Sequence, residues 1–157
     1  MPRHDHQWVT DRLAVGSAVV TPEHVRAVVE GGITHVIDCR LEAEGAQLYA
    51  GTPVRRLHCG TADNGEAKPV AWFEEGITFA LAALARPRTR VLVHCIAGVS
   101  RSPSMTYAIL RALGHSSEDA VAMIKSARMI ARVTYKEDAD RAIRTLGPRA
   151  RAPRRSG

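Results

Sequence analysis

One segment of the chain combines an apolar run, a tight loop and a helix start: Val91-Leu92-Val93-His94-Cys95-Ile96-Ala97-Gly98-Val99-Ser100-Arg101-Ser102. The short, continuous apolar run is typical of a strand that is buried on both faces of a parallel sheet. The residues from about Ser102 to Leu113 predict a helix, which Gly114 ends. Strand–loop–helix units of this kind build α/β proteins, in which ligands bind at the carboxyl ends of the strands.

Short apolar runs alternate with amphipathic stretches along the rest of the chain. Further strands are predicted over Leu13–Gly16, Thr34–Cys39 and Val54–Cys59, the first of them at the edge of the sheet. Strands that alternate with helices predict a mainly parallel sheet covered on both faces, so the fold class is α/β.

Capping signals predict where the helices begin and end. Thr21, Pro22 and Glu23 open a helix that ends at Gly31-Gly32, and apolar residues at helical spacing predict a second helix between Val70 and Ala85. Two further helices are expected to start at capping boxes, and the last is expected to end in a glycine–proline pair: Ser116-x-x-Asp119, Thr134-x-x-Glu137 and Gly147-Pro148.

The composition is that of one ordinary globular domain. The chain has 157 residues, of which 45% are hydrophobic and 24% are charged. Its net charge of +6 owes much to four arginines in the last eleven residues, without which 18 basic side chains face 16 acidic ones. We therefore predict a globular domain over residues 1–146 and a basic, disordered tail over 147–157. The tail is either a solvated terminus or a contact for nucleic acid or an acidic partner.

Several classes of protein are excluded by the sequence. No apolar run reaches the roughly 18 residues that a membrane-spanning helix needs. Asp5 and Asp11 stand where a secretory signal would be basic, so we expect a cytoplasmic protein without a membrane span. Cys39, Cys59 and Cys95 are too few for a disulfide scaffold and have no zinc-ligand spacing, so we expect no structural metal.

The loop Cys95–Arg101, called the phosphate loop below, has the residue types that bind a tetrahedral anion. Its backbone N–H groups can converge on one anion, and the following helix adds its positive end. Gly98 allows an unusual backbone angle, and Arg101 can place a planar fork on two phosphate oxygens. The same groups favour the thiolate form of Cys95, which makes it a nucleophile aimed at phosphorus. The predicted phosphate-binding residues are Ile96, Ala97, Gly98, Val99, Ser100 and Arg101.

A phosphate ester also needs an acid for its leaving oxygen and later a base for water. Asp63 lies in the glycine-rich loop Cys59–Gly65, called the acid loop below, directly after a predicted strand. One carboxyl on such a loop can perform both tasks. Glu66 is the competing candidate, and an ordinary loop aspartate is the alternative explanation of Asp63.

The segment His94–Ser102 matches the motif H-C-x-x-G-x-x-R-[ST] of the cysteine-dependent protein tyrosine phosphatase superfamily. Its ending, Ser100-Arg101-Ser102, resembles the dual-specificity phosphatase subfamily. The similarity covers most of residues 7–146, with Leu13–Ser17 and Arg101–Met105 resembling the family's opening strand and post-loop helix. The resemblance implies a central mixed sheet flanked by helices, a compact single catalytic domain and no cofactor.

The resemblance also implies roles for individual residues. Ser102 is expected to donate a hydrogen bond to the Cys95 sulfur, and His94 to brace the loop from beneath rather than act as a base. The 32 residues that separate Asp63 from Cys95 resemble the family's spacing for its general acid. Many family members support the loop with an asparagine after the penultimate helix, which the segment Arg132-Val133-Thr134-Tyr135 lacks.

The sequence therefore predicts a metal-independent phosphomonoester hydrolase that works through a phosphocysteine intermediate. Its expected substrate is a phosphorylated protein, with phosphotyrosine first and phosphoserine or phosphothreonine as further substrates. The alternatives are a phosphoinositide or RNA 5′-phosphatase with the same loop, and a catalytically dead phosphopeptide-binding module. The absence of lysine in Ile96–Ser100 favours protein over polyanionic substrates. The oligomeric state stays open.

Cys39 is a candidate redox partner for Cys95. If the strands that end at these two cysteines are neighbours, their axes lie about 4.8 Å apart, within the Cα separation that a disulfide accepts. Some relatives place a cysteine near this strand end, where it protects the nucleophile reversibly. The alternative is that Cys39 and Cys59 are small core residues, and Cys59 is expected one strand further out.

Overall fold

The structure is a computed structural model that describes residues 1–41 and 45–147. In this part of the chain the strands are β1 (His6–Thr10), β2 (Leu13–Gly16), β3 (His35–Asp38), β4 (Arg55–His58) and β5 (Val91–His94). They form a sheet in the order β1-β2-β5-β3-β4. β1 is antiparallel to β2, and the other neighbouring pairs are parallel. The α/β fold with a mainly parallel mixed sheet is confirmed.

The helices of the described chain are α1 (Pro22–Glu30), α2 (Val70–Leu84), α3 (Arg101–Ala112), α4 (Ser117–Ala127) and α5 (Lys136–Leu146), with a short 3-10 helix at Ala46–Tyr49. Alternate strand residues point to opposite faces of the sheet. Val36 and Leu92 therefore pack with α1, whereas Ile37 and Val93 join the larger core beneath α2 to α5. Both faces are covered, as the buried strand β5 requires.

The prediction that Leu13–Gly16 is an edge strand is wrong. β2 lies between β1 and β5, and all four of its residues are buried. The edge on this side of the sheet is β1, which the sequence analysis did not identify because its residues, HQWVT, are half-buried and show no continuous apolar run. A turn at Asp11-Arg12 brings β1 back antiparallel to β2.

Two of the predicted helix caps are confirmed and one is wrong. The Thr21 hydroxyl accepts a hydrogen bond from the His24 amide, and the Ser116 hydroxyl accepts one from Asp119, both at 3.1 Å. Thr134 does not cap α5, because the helix begins one residue later, after Tyr135. The Tyr135 amide donates instead to the Ser104 hydroxyl of α3 at 3.0 Å, so a tertiary contact replaces the local cap.

The parallel register brings the chemistry-bearing residues to one edge of the sheet. Asp38 is paired with His94, and the Cys39 amide donates to the His94 carbonyl at 2.8 Å. Cys39 and Cys95 therefore follow parallel strands that end at the same edge of the sheet, as predicted, and these strands are neighbours. Cys59 follows β4, one strand further out.

The last helix ends as predicted at Gly147, whose φ of 59° is a backbone angle that glycine adopts without strain. Residues 148–157 of the predicted basic tail lie outside the described residues. Within residues 1–41 and 45–147, no helix has both the length and the apolar character needed to cross a bilayer.

Candidate active site

The phosphate loop connects the buried end of β5 to the start of α3, and its carbonyl groups are held from outside. Four consecutive carbonyls accept hydrogen bonds from elsewhere in the fold, at 2.7–2.9 Å: Ile96 from the Ala18 amide, Ala97 and Gly98 from the Arg128 guanidinium, and Val99 from the Arg132 amide. Among the described residues, none accepts a hydrogen bond from the amides of residues 96–100. These amides are therefore available as donors to a bound anion.

Gly98 is required at its position for two reasons. Its φ is +70°, and a Cβ atom there would lie 2.7 Å from both the Gly16 carbonyl and an Arg128 nitrogen. Any side chain would therefore strain the backbone and separate the loop from two of its neighbours.

Cys95 lies at the base of the loop, with 2% of its surface exposed. Its Sγ atom is 3.2 Å from the Ser102 hydroxyl, which also lies 3.4 Å from the Gly16 carbonyl. The structure thus brings together the sulfur and the hydroxyl that the sequence analysis paired. Ser102 can donate its single proton either to the sulfur or to the carbonyl.

Arg101 begins α3 and is only 6% exposed. Its Nη1 atom donates to the Thr61 carbonyl at 2.9 Å, which joins the phosphate loop to the acid loop. Its buried Nε atom has no hydrogen-bond partner among the described residues. An anion that accepts from this N–H group would remove the cost of leaving a buried donor unpaired.

His94 lies beneath the loop and is buried. Its Nδ1 atom is 3.2 Å from the Cys95 carbonyl, which can only accept, so this nitrogen carries a proton. Burial lowers the pKa of His94, against the opposing effect of the Asp38 carboxylate 3.9 Å away. A neutral imidazole that donates to the loop backbone fits the bracing position expected from the sequence.

A buried ionic network at the end of β3 was missed by the sequence analysis. Asp38 accepts hydrogen bonds from Arg40 and Arg56, each at 2.9 Å, and has no exposed surface. Burial alone would raise the pKa of Asp38, but the hydrogen bonds from Arg40 and Arg56 outweigh this effect, so the pKa lies below its usual value. The only sequence signal was an acidic residue at the end of an apolar strand.

Asp63 is held by the hydroxyl of Tyr135. Its Oδ1 atom lies 2.8 Å from that hydroxyl, which also accepts from the Gly65 amide at 3.1 Å. Glu66, the competing candidate, is exposed, and its amide donates to the side chain of Asn64. Asp63 is exposed as well, but its carboxyl accepts a hydrogen bond from the buried residue Tyr135.

Comparison with known proteins agrees with this geometry. The family model described as "Dual specificity phosphatase, catalytic domain" matches residues 19–137. The chain belongs to the dual specificity phosphatase family.

The curated relatives of this family member are longer proteins. It is 34% identical over 106 residues to dual specificity protein phosphatase 13B of Mus musculus, an alignment of 65% of this chain and 53% of the relative. It is 39% identical over 83 residues to dual specificity protein phosphatase 4 of Homo sapiens, where the alignment covers 50% of this chain and 19% of the relative. The chain therefore spans about half the length of the first relative, and less of the second.

Solved structures share the fold over nearly the whole chain. PTPMT1 in complex with PI(5)P superimposes with a TM-score of 0.79 at 23% identity, covering 92% of this chain and 98% of that one. Human DUSP28 superimposes with a TM-score of 0.74 at 24% identity, covering 90% and 94%. These structures support the dual specificity phosphatase fold.

The phosphate loop, for which the sequence lacks the expected supporting asparagine, is bonded by Arg128, which the sequence analysis did not identify. Arg128 is 4% exposed and donates to the carbonyls of Ala97 and Gly98 at 2.8 and 2.9 Å. The Nη1 and Nη2 atoms of Arg128 donate to the Asp5 carboxylate at 2.8 and 2.9 Å, and Nη1 also donates to the side-chain oxygen of Gln7. The hydrogen bond from Arg128 holds the pKa of Asp5 well below its usual value, so this carboxylate stays ionised.

We predict that Arg128→Met weakens the binding of vanadate, a phosphate mimic, by about tenfold or more, because two charge-assisted bonds to the loop carbonyls are lost. Titration calorimetry measures this affinity. Arg132→Met is the matched control, since the Arg132 side chain is exposed and only its backbone amide contacts the loop. Equal vanadate affinities in Arg128→Met and the wild-type protein would contradict the supporting role.

Proposed function

We propose that this protein is a phosphomonoester hydrolase that works through a phosphocysteine intermediate. The observation that carries the proposal is the position of the Cys95 sulfur, at the base of a loop in which four consecutive carbonyls, those of residues 96–99, accept hydrogen bonds from elsewhere in the fold. Inward amides and the unpaired N–H of Arg101 provide donors for phosphate oxygens and for the charge that develops in the transition state. A thiolate in that position attacks phosphorus in line with the leaving oxygen.

The first step forms the S–P bond and breaks the bond between phosphorus and the leaving oxygen. Asp63 donates its proton to that oxygen, which leaves as an alcohol or phenol. In the second step a water molecule attacks phosphorus, and Asp63 takes its proton back. The S–P bond breaks, and Ser102, 3.2 Å from the sulfur, donates a hydrogen bond to the departing thiolate.

We propose phosphorylated proteins as the substrates, with phosphotyrosine preferred and phosphoserine and phosphothreonine also accepted. The named dual specificity protein phosphatases among the relatives support this substrate class. So does the phosphate loop, which contains no lysine and exposes the apolar side chain of Ile96 at its rim. A phosphoinositide is the second candidate, because the structure of PTPMT1 with PI(5)P has the same fold.

The substrate is tested by measuring kcat/KM, with EDTA present, on phosphotyrosine and phosphothreonine peptides, phosphoinositide vesicles and 5′-phosphorylated RNA. The proposal expects the highest value on phosphotyrosine peptides and no effect of EDTA. A higher kcat/KM on phosphoinositides or on RNA would identify that compound, rather than phosphorylated proteins, as the substrate class. Phosphopeptide binding without turnover would identify a binding module instead of an enzyme.

We also propose that residues 1–146 form one catalytic domain followed by a basic tail over 147–157, and that the protein acts in the cytoplasm. The match of the family model over residues 19–137 supports the domain. The cytoplasm keeps thiols reduced, as a cysteine nucleophile requires.

Cys95→Ser is expected to abolish hydrolysis of aryl phosphates, because it removes the atom that forms the intermediate, and losing a covalent nucleophile costs several orders of magnitude. Vanadate binding is expected to persist, since the amides and Arg101 are unchanged. Steady-state kinetics and calorimetry measure the two properties. More than a few per cent of wild-type kcat in this variant would contradict the mechanism.

Asp63→Asn is expected to lower kcat by roughly 10²–10⁴ for ordinary esters and to flatten the basic limb of the pH profile, because the amide cannot supply a proton. In kcat/KM, which reports formation of the intermediate, the loss is expected to shrink for esters with very good leaving groups. Glu66→Gln is the matched control. A normal pH profile in Asp63→Asn, with a flattened one in Glu66→Gln, would assign the acid to Glu66.

We propose further that Cys39 is the redox partner of Cys95. The two residues follow paired positions of β3 and β5 and belong to the same buried cluster. Peroxide would oxidise Cys95 to a sulfenic acid, and attack by the Cys39 thiol would form a disulfide and release water. Burial raises the pKa of Cys39, so Cys39 stays a thiol and Cys95 is the one oxidised first.

Wild-type activity is expected to recover after mild peroxide followed by dithiothreitol, whereas Cys39→Ser is expected to recover markedly less. The reason is that an unresolved sulfenic acid proceeds to irreversible states. Cys59→Ser is the control, since Cys59 follows the next strand out and lies 3.4 Å from the Trp72 carbonyl. If Cys39→Ser and the wild-type protein recover activity equally, Cys39 has no redox role and only packs in the core.

A further inference from the structure

The contacts of Tyr135 point to a positioning role that rests on the proposed function: we propose that its hydroxyl orients Asp63, so that a single carboxyl oxygen exchanges the proton during catalysis. Tyr135 is 3% exposed, and it joins the acid loop to the phosphate loop through two different groups. Its side chain contacts the acid loop, and its backbone amide contacts α3.

The direction of each hydrogen bond at the Tyr135 hydroxyl follows from its partners. The Gly65 amide can only donate, so at 3.1 Å the Tyr135 oxygen is its acceptor. The hydroxyl has one proton, and this proton is therefore directed at Asp63 Oδ1, 2.8 Å away. The hydrogen bonds that the Tyr135 hydroxyl makes with Asp63 and Gly65 together hold the acid loop against the tyrosine.

The tyrosine ring is itself held in place. The Lys68 ammonium lies 4.8 Å from the ring centroid, and it also donates to the Ala62 carbonyl and to Asn64 Oδ1 at 2.5 and 3.0 Å. Burial, together with the neighbouring Asp63 carboxylate, raises the pKa of Tyr135. The hydroxyl therefore keeps its proton, and remains a donor, throughout the pH range of a phosphatase assay.

The backbone of Tyr135 carries the connection to the phosphate loop. Its amide donates to the Ser104 hydroxyl at 3.0 Å, and that hydroxyl donates to the Ser100 carbonyl at 2.8 Å. Ser104 has no exposed surface. Three residues in a chain of hydrogen bonds thus place the acid loop relative to the loop that holds the phosphate.

This arrangement distinguishes the two carboxyl oxygens of Asp63. Oδ1 accepts the hydrogen bond from the Tyr135 hydroxyl whether the carboxyl is protonated or ionised. The proton that is transferred during catalysis therefore resides on Oδ2. Oδ2 gives this proton to the leaving oxygen in the first step and takes one from water in the second. In this arrangement Tyr135 exchanges no proton with the substrate and acts through Asp63.

Tyr135→Phe removes the hydroxyl and keeps the ring. We expect kcat/KM, which reports formation of the intermediate, to fall about tenfold on phenyl phosphate, whose leaving group needs a proton, and to change less than twofold on 2,4-dinitrophenyl phosphate, whose leaving group does not. Vanadate affinity is expected to stay at the wild-type value. Tyr107→Phe is the matched control, because its hydroxyl bonds Ser117 and Asp140 between helices, away from both loops.

A double-mutant cycle separates positioning from a general structural effect. In the Asp63→Asn background, Tyr135→Phe is expected to cause no further loss on phenyl phosphate. Equal losses on the two esters, or an additional tenfold loss in the Asp63→Asn background, would overturn the proposal. Failure of the proposed function itself has a different signature, because the wild-type protein would then hydrolyse neither ester.

Discussion

The outward hydrogen bonds of the phosphate-loop carbonyls are the constraint on which the rest of the site depends. A loop of this length can direct its amides inward only if its carbonyls find donors outside. Those donors come from distant parts of the chain: the segment after β2 for Ile96, and the segment after α4 for Ala97, Gly98 and Val99. The sheet order places β2 beside β5, which brings the first of these donors within reach.

Charged groups support the site from two sides. On one side Asp5 and Arg128 form a clamp that joins the N-terminal segment to the loop carbonyls. On the other side Asp38, Arg40 and Arg56 form a buried network beneath His94. Such ion pairs contribute little net stability, because solvent screening weakens the exposed pair and desolvation offsets the attraction in the buried network. Their value here is geometric, since each network fixes a strand end or a loop segment next to Cys95.

The sequence predicts the parts of this structure that are local in the chain. The strand, loop and helix around Cys95 are contiguous, so their residue types predicted the fold class and the positions of the cysteines. The contact between Cys95 and Ser102 was implied by the resemblance to the family. The missed features join residues far apart: Asp5 and Arg128 are 123 residues apart, and Asp63 and Tyr135 are 72 apart. No spacing rule signals such pairs. Thr134 shows the same limit, because the Ser104 hydroxyl binds the Tyr135 amide and displaces the start of α5.

Covalent trapping of the intermediate tests the central claim most directly. Rapid acid quench during turnover of 2,4-dinitrophenyl phosphate, followed by trypsin digestion and mass spectrometry, locates any phosphoryl group on the protein. Because Asp63→Asn slows the attack of water more than the formation of the intermediate on this ester, the variant is expected to accumulate it. The account predicts one phosphoryl group on the peptide Val91–Arg101, at Cys95, with more in Asp63→Asn than in the wild-type protein. Turnover with no phosphorylated Cys95, or a phosphoryl group on another residue, would contradict it.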